Sequence, residues 1–294
     1  MKNIIKRGTS LLLVVAMLLS FAAVVGAEPA TTEGGVSGQF VKIWAEPVAL
    51  KAGERAQVPI YVEVDSSYGL GLVNFNVYSD PGITIANIVK ADGVSGDLVS
   101  GDYVTASGRT EKIAAWTSNK PLGWIEDQWN HTLQKPTTNK HLLAYALVMA
   151  DNNVTAGGYA LHFAPFQNGK DNGKTDVVVE VIAADNEADK GAYKKDSTEI
   201  IDGAAIVYDT LPMVALTKTT FDVPTMEDVQ TNPGASNYKV ADYLKIVADV
   251  NGEVKLLDVD ADSLTWNTSL KKVNKTATHL SFRTETEDGP ATLT

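Results

Sequence analysis

The sequence predicts an all-β protein in two modules, and three observations carry that reading. Short segments of alternating apolar and polar residues recur along the chain, broken by Gly, Pro, Asn and Asp at the spacing of a β-sandwich. No stretch of convincing length repeats its apolar residues with a helical period. The 294 residues, less a leader, exceed what one sandwich needs and suit two domains of about 100 to 200 residues each.

The leader comes first. Lys2, Lys6 and Arg7 precede an apolar run from Leu11 to Val25 that closes on the small residues Gly26 and Ala27. A basic start, a short apolar stretch and a small-residue end describe a secretory signal peptide, residues 1–27, cut after Ala27. The run is short for a bilayer span, which takes about 20 apolar residues. The mature chain is therefore expected to be secreted or held at a cell surface, without a membrane segment. Losing those three cations, and no acid, from a chain of formal charge −11 leaves about −14. Such an acidic surface disfavours nucleic acid and anionic lipid as partners. The absence of cysteine removes thiol catalysis, Fe–S ligation and disulfide staples, so stability must come from buried cores.

Residues 28–39, rich in Thr, Gly and Ser, form a flexible lead. Val41 and Ile43, then Val58, Ile60 and Val62, alternate with their neighbours, and Ala52-Gly53-Glu54 supplies the turn between them. Pro59 lacks an N–H for a ladder, so its strand is expected to run along an edge or to begin there. From Leu70 the period of two puts Val73, Phe75 and Val77 on a core face and Leu72, Asn74, Asn76 and Tyr78 on the opposite face, toward solvent or a partner. Asp80-Pro81-Gly82 turns the chain, and Ile83 and Ile85 resume the alternation. Further strands are expected at Lys112–Thr117, Leu142–Ala150, Tyr159–Phe163, Asp176–Ala183 and Ile200–Tyr208. The pattern pauses at Thr210-Leu211-Pro212, which divides a module of residues 40–209 from one of residues 213–294. In the second, Leu244–Val250 and Glu253–Val259 flank Asn251-Gly252, the strongest short-range sign of a hairpin.

Three stretches of the first module, taken in order, resemble cohesins: Val41-Lys42-Ile43 with Lys51-Ala52-Gly53-Glu54 through Val58-Pro59-Ile60; Gly71 to Asp80-Pro81; and Ile201-Asp202-Gly203-Ala204-Ala205-Ile206-Val207. Leu142–Met149 followed by Gly158-Tyr159-Ala160-Leu161 is similar to that family's late strands. The chain departs from the pattern at Ser79, where many cohesins carry tyrosine, and in the long connection Lys120 to His141. The resemblance implies a jelly-roll β-sandwich that binds calcium-loaded dockerin modules of polysaccharide-degrading enzymes through a flat sheet face. It also implies that the strand before Asp80-Pro81 carries partner contacts, one of them on Asn74. Leu72, Asn74, Asn76 and Tyr78 are the resulting partner-binding candidates, with Tyr78 the expected hot spot. Residues 213–294 resemble a bacterial Ig-like domain, through Leu264-Thr265-Trp266-Asn267-Thr268-Ser269 and Gly289-Pro290-Ala291-Thr292-Leu293-Thr294; such modules act as spacers.

No residues are assigned to catalysis, metal or cofactor. His131, His141, His162 and His279 lie far apart with no ligand spacing, and no nucleophile elbow or phosphate loop is present. Glu126-Asp127 is the least implausible acid pair, and only a fold can bring carboxylates into catalytic register. Asp249, Asn251, Glu253, Lys255 and Asp260 mimic an EF-hand count, but Val254 stands where the loop needs glycine, so a hairpin explains them better. Trp124 and Trp129, near Trp116 and Tyr145, admit a competing expectation of polysaccharide binding, because a pyranose C–H face stacks on an aromatic ring.

Overall fold

The computed structural model describes residues 41–64, 68–122, 140–164, 166, 178–183, 191–192, 198–217, 237–260, 274–275 and 279–281. Among them the only helical element is a 3-10 turn, Val240–Tyr243; the rest of the regular structure is strand. The first set is β1 (Val41–Ala45), β2 (Val48–Leu50), β3 (Arg55–Val64), β4 (Tyr68–Ser79), β5 (Ile83–Lys90), β6 (Asp97–Val104) and β7 (Thr110–Leu122). Then come β8 (Lys140–Ala150), β9 (Gly157–Ala164), β10 (Val178–Ala183), β11 (Gly191–Ala192), β12 (Thr198–Ile201) and β13 (Gly203–Val207). Beyond these lie β14 (Met213–Leu216), β15 (Asn237–Lys239), β16 (Leu244–Val250), β17 (Glu253–Asp258), β18 (Asn274–Lys275) and β19 (His279–Ser281).

Two sheets make the sandwich. One has five strands in the order β12-β1-β3-β8-β5; the other has eight, β11-β10-β4-β9-β13-β2, with β7 on the opposite edge of β4 and β6 beyond it. Their inner faces enclose one core, in which Ile43, Val58, Ile60 and Val62 meet Val73, Phe75, Val77 and Trp116. The expected core face of β4 is therefore the observed one, and Phe75 packs edge-on to Phe163 with ring centroids 5.4 Å apart. The turn at Asp80-Pro81-Gly82 forms as expected: Ile83 N–H donates to the Asp80 carbonyl, and Gly82 takes φ of 103°.

Two expectations need correction. The strand of Pro59 is central, between β1 and β8. Proline is tolerated there because the β1 ladder ends at Ala45 opposite Ile60, and the Pro59 carbonyl needs only the Glu46 N–H, which it receives at 2.9 Å. The single strand expected over Ile200–Tyr208 is two. The chain breaks at Asp202 and changes sheet, β12 pairing in parallel with β1 and β13 in parallel with β2. β6 was not anticipated: its outward residues give a ragged pattern with half-exposed apolar positions.

After Tyr208 the chain leaves the sandwich, and β14 opens a three-stranded sheet, β14-β16-β17. β16 and β17 form the hairpin expected from Asn251-Gly252, both with positive φ (59° and 84°), and Asp249 Oδ1 accepts the Gly252 N–H at 2.7 Å. This sheet is docked on the sandwich. Ile206 and Tyr208 share a buried cluster with Ala215 and Val247, joined by Ala49, Leu211, Met213 and Leu256. At Gly158 the approach is so close that a Cβ would lie 1.5 Å from the Leu216 carbonyl oxygen. A second short sheet, β15-β19-β18, follows. Phe221, Leu264–Ser269 and Gly289–Thr294 lie outside the described residues.

The Gly158 contact is with backbone, so a methyl group there must displace β14. Gly158→Ala is expected to raise amide exchange in β14 and β16 while protection in β3, β4 and β8 stays as in the wild type, measured by hydrogen–deuterium exchange.

Candidate functional site

The strand singled out by sequence, β4, is held on both edges: β7 lies along one, β10 and β9 along the other. Alternation does place Leu72, Asn74, Asn76 and Tyr78 together on the face away from the core. Their exposure differs from the expectation. Leu72, Asn74 and Asn76 are only 8%, 2% and 0% exposed, and Tyr78 alone reaches the surface, half-buried. The open outward row read from the period is thus corrected to one surface tyrosine at the end of a covered row.

For Asn76 the cover is visible. Its Nδ2 donates to Glu111 Oε2 at 2.8 Å, and the other Glu111 oxygen accepts from Arg109 Nε and Nη2 at 3.1 and 2.7 Å. Glu111 is 2% exposed, and such a carboxylate persists only when paired and hydrogen-bonded. The same guanidinium lies 3.7 Å from the centre of the Tyr78 ring, a cation–π contact.

The His162 imidazole stacks on Tyr78 from the β9 side, with centroids 4.7 Å apart and planes 27° from parallel. Tyr78 and His162 are register partners, so the ladder itself brings them together. His162 Nδ1 lies 3.0 Å from Asp202 Oδ2, and Nε2 lies 3.0 Å from Asp80 Oδ1. Each carboxylate is anchored by its second oxygen: Asp80 Oδ2 accepts the Ala160 N–H at 2.8 Å, and Asp202 Oδ1 accepts the Phe163 N–H at 2.9 Å. One side chain thus ties the turn after β4 to the β12–β13 break. The hydrogen bond to Asp202 leads the forces that raise the His162 pKa; the Asp80 bond adds to it, and burial opposes both. Burial is the main cause that raises the Tyr78 phenol, against the lowering effect of Arg109.

This cluster is what sequence reasoning missed. His162 has no ligand spacing to another histidine in the sequence, and its partners Asp80 and Asp202, 82 and 40 positions away, meet it only in the fold. The available signal was that Asp80 and Asp202 both occur inside the cohesin-like stretches. Trp116 is a core residue, wholly buried, with Nε1 donating to the Ser95 carbonyl at 3.0 Å. Trp124, Trp129, Glu126, Asp127 and His131 lie outside the described residues. Among the described residues no group of three or more His, Cys, Asp or Glu could hold a metal ion. The EF-hand-like count is taken up by the hairpin: Asp249 caps its turn, and Glu253 pairs with Lys255 at 3.2 Å.

These features define a two-sheet β-sandwich protein with a docked third sheet. Neither a protein-family model nor a curated protein matches the chain. Solved structures to which it is similar include the seventh ScaB type I cohesin of Pseudobacteroides cellulosolvens, at 14% identity over 63% of this chain and 99% of that one, TM-score 0.39. A type I cohesin–dockerin complex from Clostridium thermocellum is similar at 11% identity over 58% and 100%, TM-score 0.38. A non-cellulosomal cohesin of the archaeon Archaeoglobus fulgidus is similar at 15% over 58% and 92%, TM-score 0.36. Likeness at this level assigns neither a family nor a partner.

The His162 tie has a pH signature. Its folded pKa is raised, so its contribution is complete below the unfolded value, about 6.5, and is lost as pH climbs through the folded value. Denaturant titrations from pH 5.5 to 9 are expected to show stability falling through that window. His162→Gln, which keeps at most one of the two bonds, is expected to cost about 1.5 to 3 kcal/mol at pH 6 and to flatten the dependence.

Proposed function

We propose that this chain is an exported, non-catalytic scaffolding protein whose sandwich, residues 40–209, is a cohesin-type receptor for dockerin-bearing proteins. The remainder, residues 213–294, is a second, Ig-like β module. The reading is carried by where the cohesin-like stretches lie: the opening and closing ones, some 150 positions apart in sequence, each supply a strand to one of the two parallel pairings that join the ends of the sandwich. Val41–Ile43 of the opening stretch lies in β1, which pairs with β12 as far as Ile201, the first residue of the closing stretch. Ala205–Val207 of the closing stretch pairs with β2 (Val48–Leu50), which lies between the two parts of the opening one. The middle stretch is β4, at the centre of the other sheet. The cohesin-like stretches thus supply one strand of each closing pair, β1 and β13, and the central strand β4. The leader 1–27 supports export, and the dockerin-bearing partners implied are polysaccharide-degrading enzymes.

Within this reading the four β4 residues do different work. Tyr78, presented at the surface between Arg109 and His162, is a rigid ring with little side-chain entropy left to lose on binding. Leu72, Asn74 and Asn76 hold the strand in place beneath it.

Titration calorimetry of the mature chain with a calcium-loaded dockerin tests this. Tyr78→Ala is expected to weaken binding by about 2 kcal/mol or more, and a chelator to abolish it by unfolding the dockerin. Asn74→Ala is expected to lower the stability of the receptor with little change in affinity of the molecules that remain folded. No heat with any dockerin of the same secretome would overturn the proposal, and unchanged affinity in a folded Tyr78→Ala would remove this end of β4 from the interface.

A further inference from the structure

The outer face of the five-stranded sheet carries two register lines that the proposed function does not use. In the first, Ile201 of β12, Trp44 of β1, Tyr61 of β3 and Leu142 of β8 are successive ladder partners. At a strand spacing of 4.7 to 4.9 Å this apolar line spans roughly 14 Å. Ile201 is 41% exposed and the other three are half-buried. The Trp44 and Tyr61 rings stack with centroids 5.4 Å apart and planes 19° from parallel. Two positions along the strands runs the second line, Glu199, Lys42, Glu63 and Lys140, of alternating sign.

We propose that this face binds a neutral polysaccharide chain, with Trp44 and Tyr61 as its stacking residues and the charged line as its hydroxyl-binding rail. Charge supports a neutral occupant. The line itself holds two lysines and two glutamates; with Glu46, which pairs with Lys140 at 2.8 Å while Lys42 pairs with Glu199 at 3.7 Å, the patch carries one net negative charge. It offers ammonium donors and carboxylate acceptors to hydroxyl groups, and its residual negative charge disfavours an anionic chain.

Size argues in the same direction. A stable protein interface buries about 800 Å² on each side; one line of four partly covered side chains beside a charged line offers a narrow strip, suited to a linear chain. The rings are also held in advance. Lys140 Nζ sits 4.0 Å from the Tyr61 centroid and 5.1 Å from that of Trp44, and Lys42 Nζ sits 5.7 Å from Trp44. Such caps are weak at exposed positions, so a sugar C–H face can replace them, and little ring freedom remains to be lost.

The test is calorimetric titration of the full mature chain with cellohexaose, xylohexaose and an oligogalacturonate. At least one neutral oligosaccharide is expected to bind, the anionic one at least tenfold more weakly, and Trp44→Ala to reduce neutral-sugar affinity at least tenfold. Ile201→Glu alters an exposed residue of the same line and is expected to weaken binding without loss of fold, which covers the case of a poorly folded Trp44→Ala. Absence of binding by both neutral sugars at millimolar concentration would overturn the proposal. So would neutral-sugar affinity unchanged in folded Trp44→Ala and Ile201→Glu, or loss of dockerin affinity in these variants, which would make the face a protein interface.

Discussion

The covering of both faces of β4 is the constraint on which the rest of the sandwich depends. Its inner residues Val73, Phe75 and Val77 anchor the core, as an alternating strand should. Its outer residues include two amides, and an amide removed from water costs free energy unless it finds a partner. Asn76 finds Glu111, and Glu111 in turn must find a cation, which is Arg109. A single buried amide therefore fixes the start of β7 and places a guanidinium over Tyr78. Polar satisfaction, rather than hydrophobic area, sets the architecture at this end of the strand.

A second consequence follows at the sheet change. β12 belongs to one sheet and β13 to the other, and Asp202 lies between them. A chain that crosses between layers there interrupts its ladders, and Asp202 compensates by accepting the Phe163 N–H and facing His162. Asp80 does the same at the end of β4 by accepting the Ala160 N–H. Both carboxylates thus extend the β9 ladder, with His162, itself on β9, between them. Two breaks in regular structure share one imidazole, and because its hydrogen bond to Asp202 raises its pKa, the stability of the sandwich is expected to depend on its protonation.

Much of the fold was legible. The alternation in Val41–Ile43, Val58–Val62 and Leu70–Val77 identified strands and their core faces, and Asn251-Gly252 identified a hairpin, because these signals are local. What failed was non-local. A period of two says which residues share a face but not whether that face is later covered, so Asn74 and Asn76 looked solvated. Proline in β3 suggested an edge because sequence cannot show that β1 stops one residue short of it. The His162 cluster was illegible for the same reason: none of its three members has another within ladder distance along the chain. Asp202 looked like part of one strand because Ile200 through Tyr208 is apolar enough to run on, and only the competing pairings of β1 and β2 split it.

Trp44 shows the limit from the other side. In Val41-Lys42-Ile43-Trp44-Ala45 the core is claimed by Val41, Ile43 and Ala45, each less than 7% exposed, so Trp44 is left outward with Lys42. A tryptophan on the outer face of a strand loses the burial that usually justifies its size, and a lone one would be an ordinary surface apolar residue. Here its cross-strand partner is Tyr61 and the lysine from two strands away caps both rings. Cross-strand aromatic pairs stabilise a sheet by a fraction of a kcal/mol up to about 1 kcal/mol, so some of this arrangement serves the fold. The alternating charges beside it serve the fold less, since exposed ion pairs contribute about 0 to 1 kcal/mol. Apolar and charged residues sorted into two parallel lines on one open sheet face are a pattern that folding alone does not demand, whereas the opposite sheet spends its polar outer residues on closing itself.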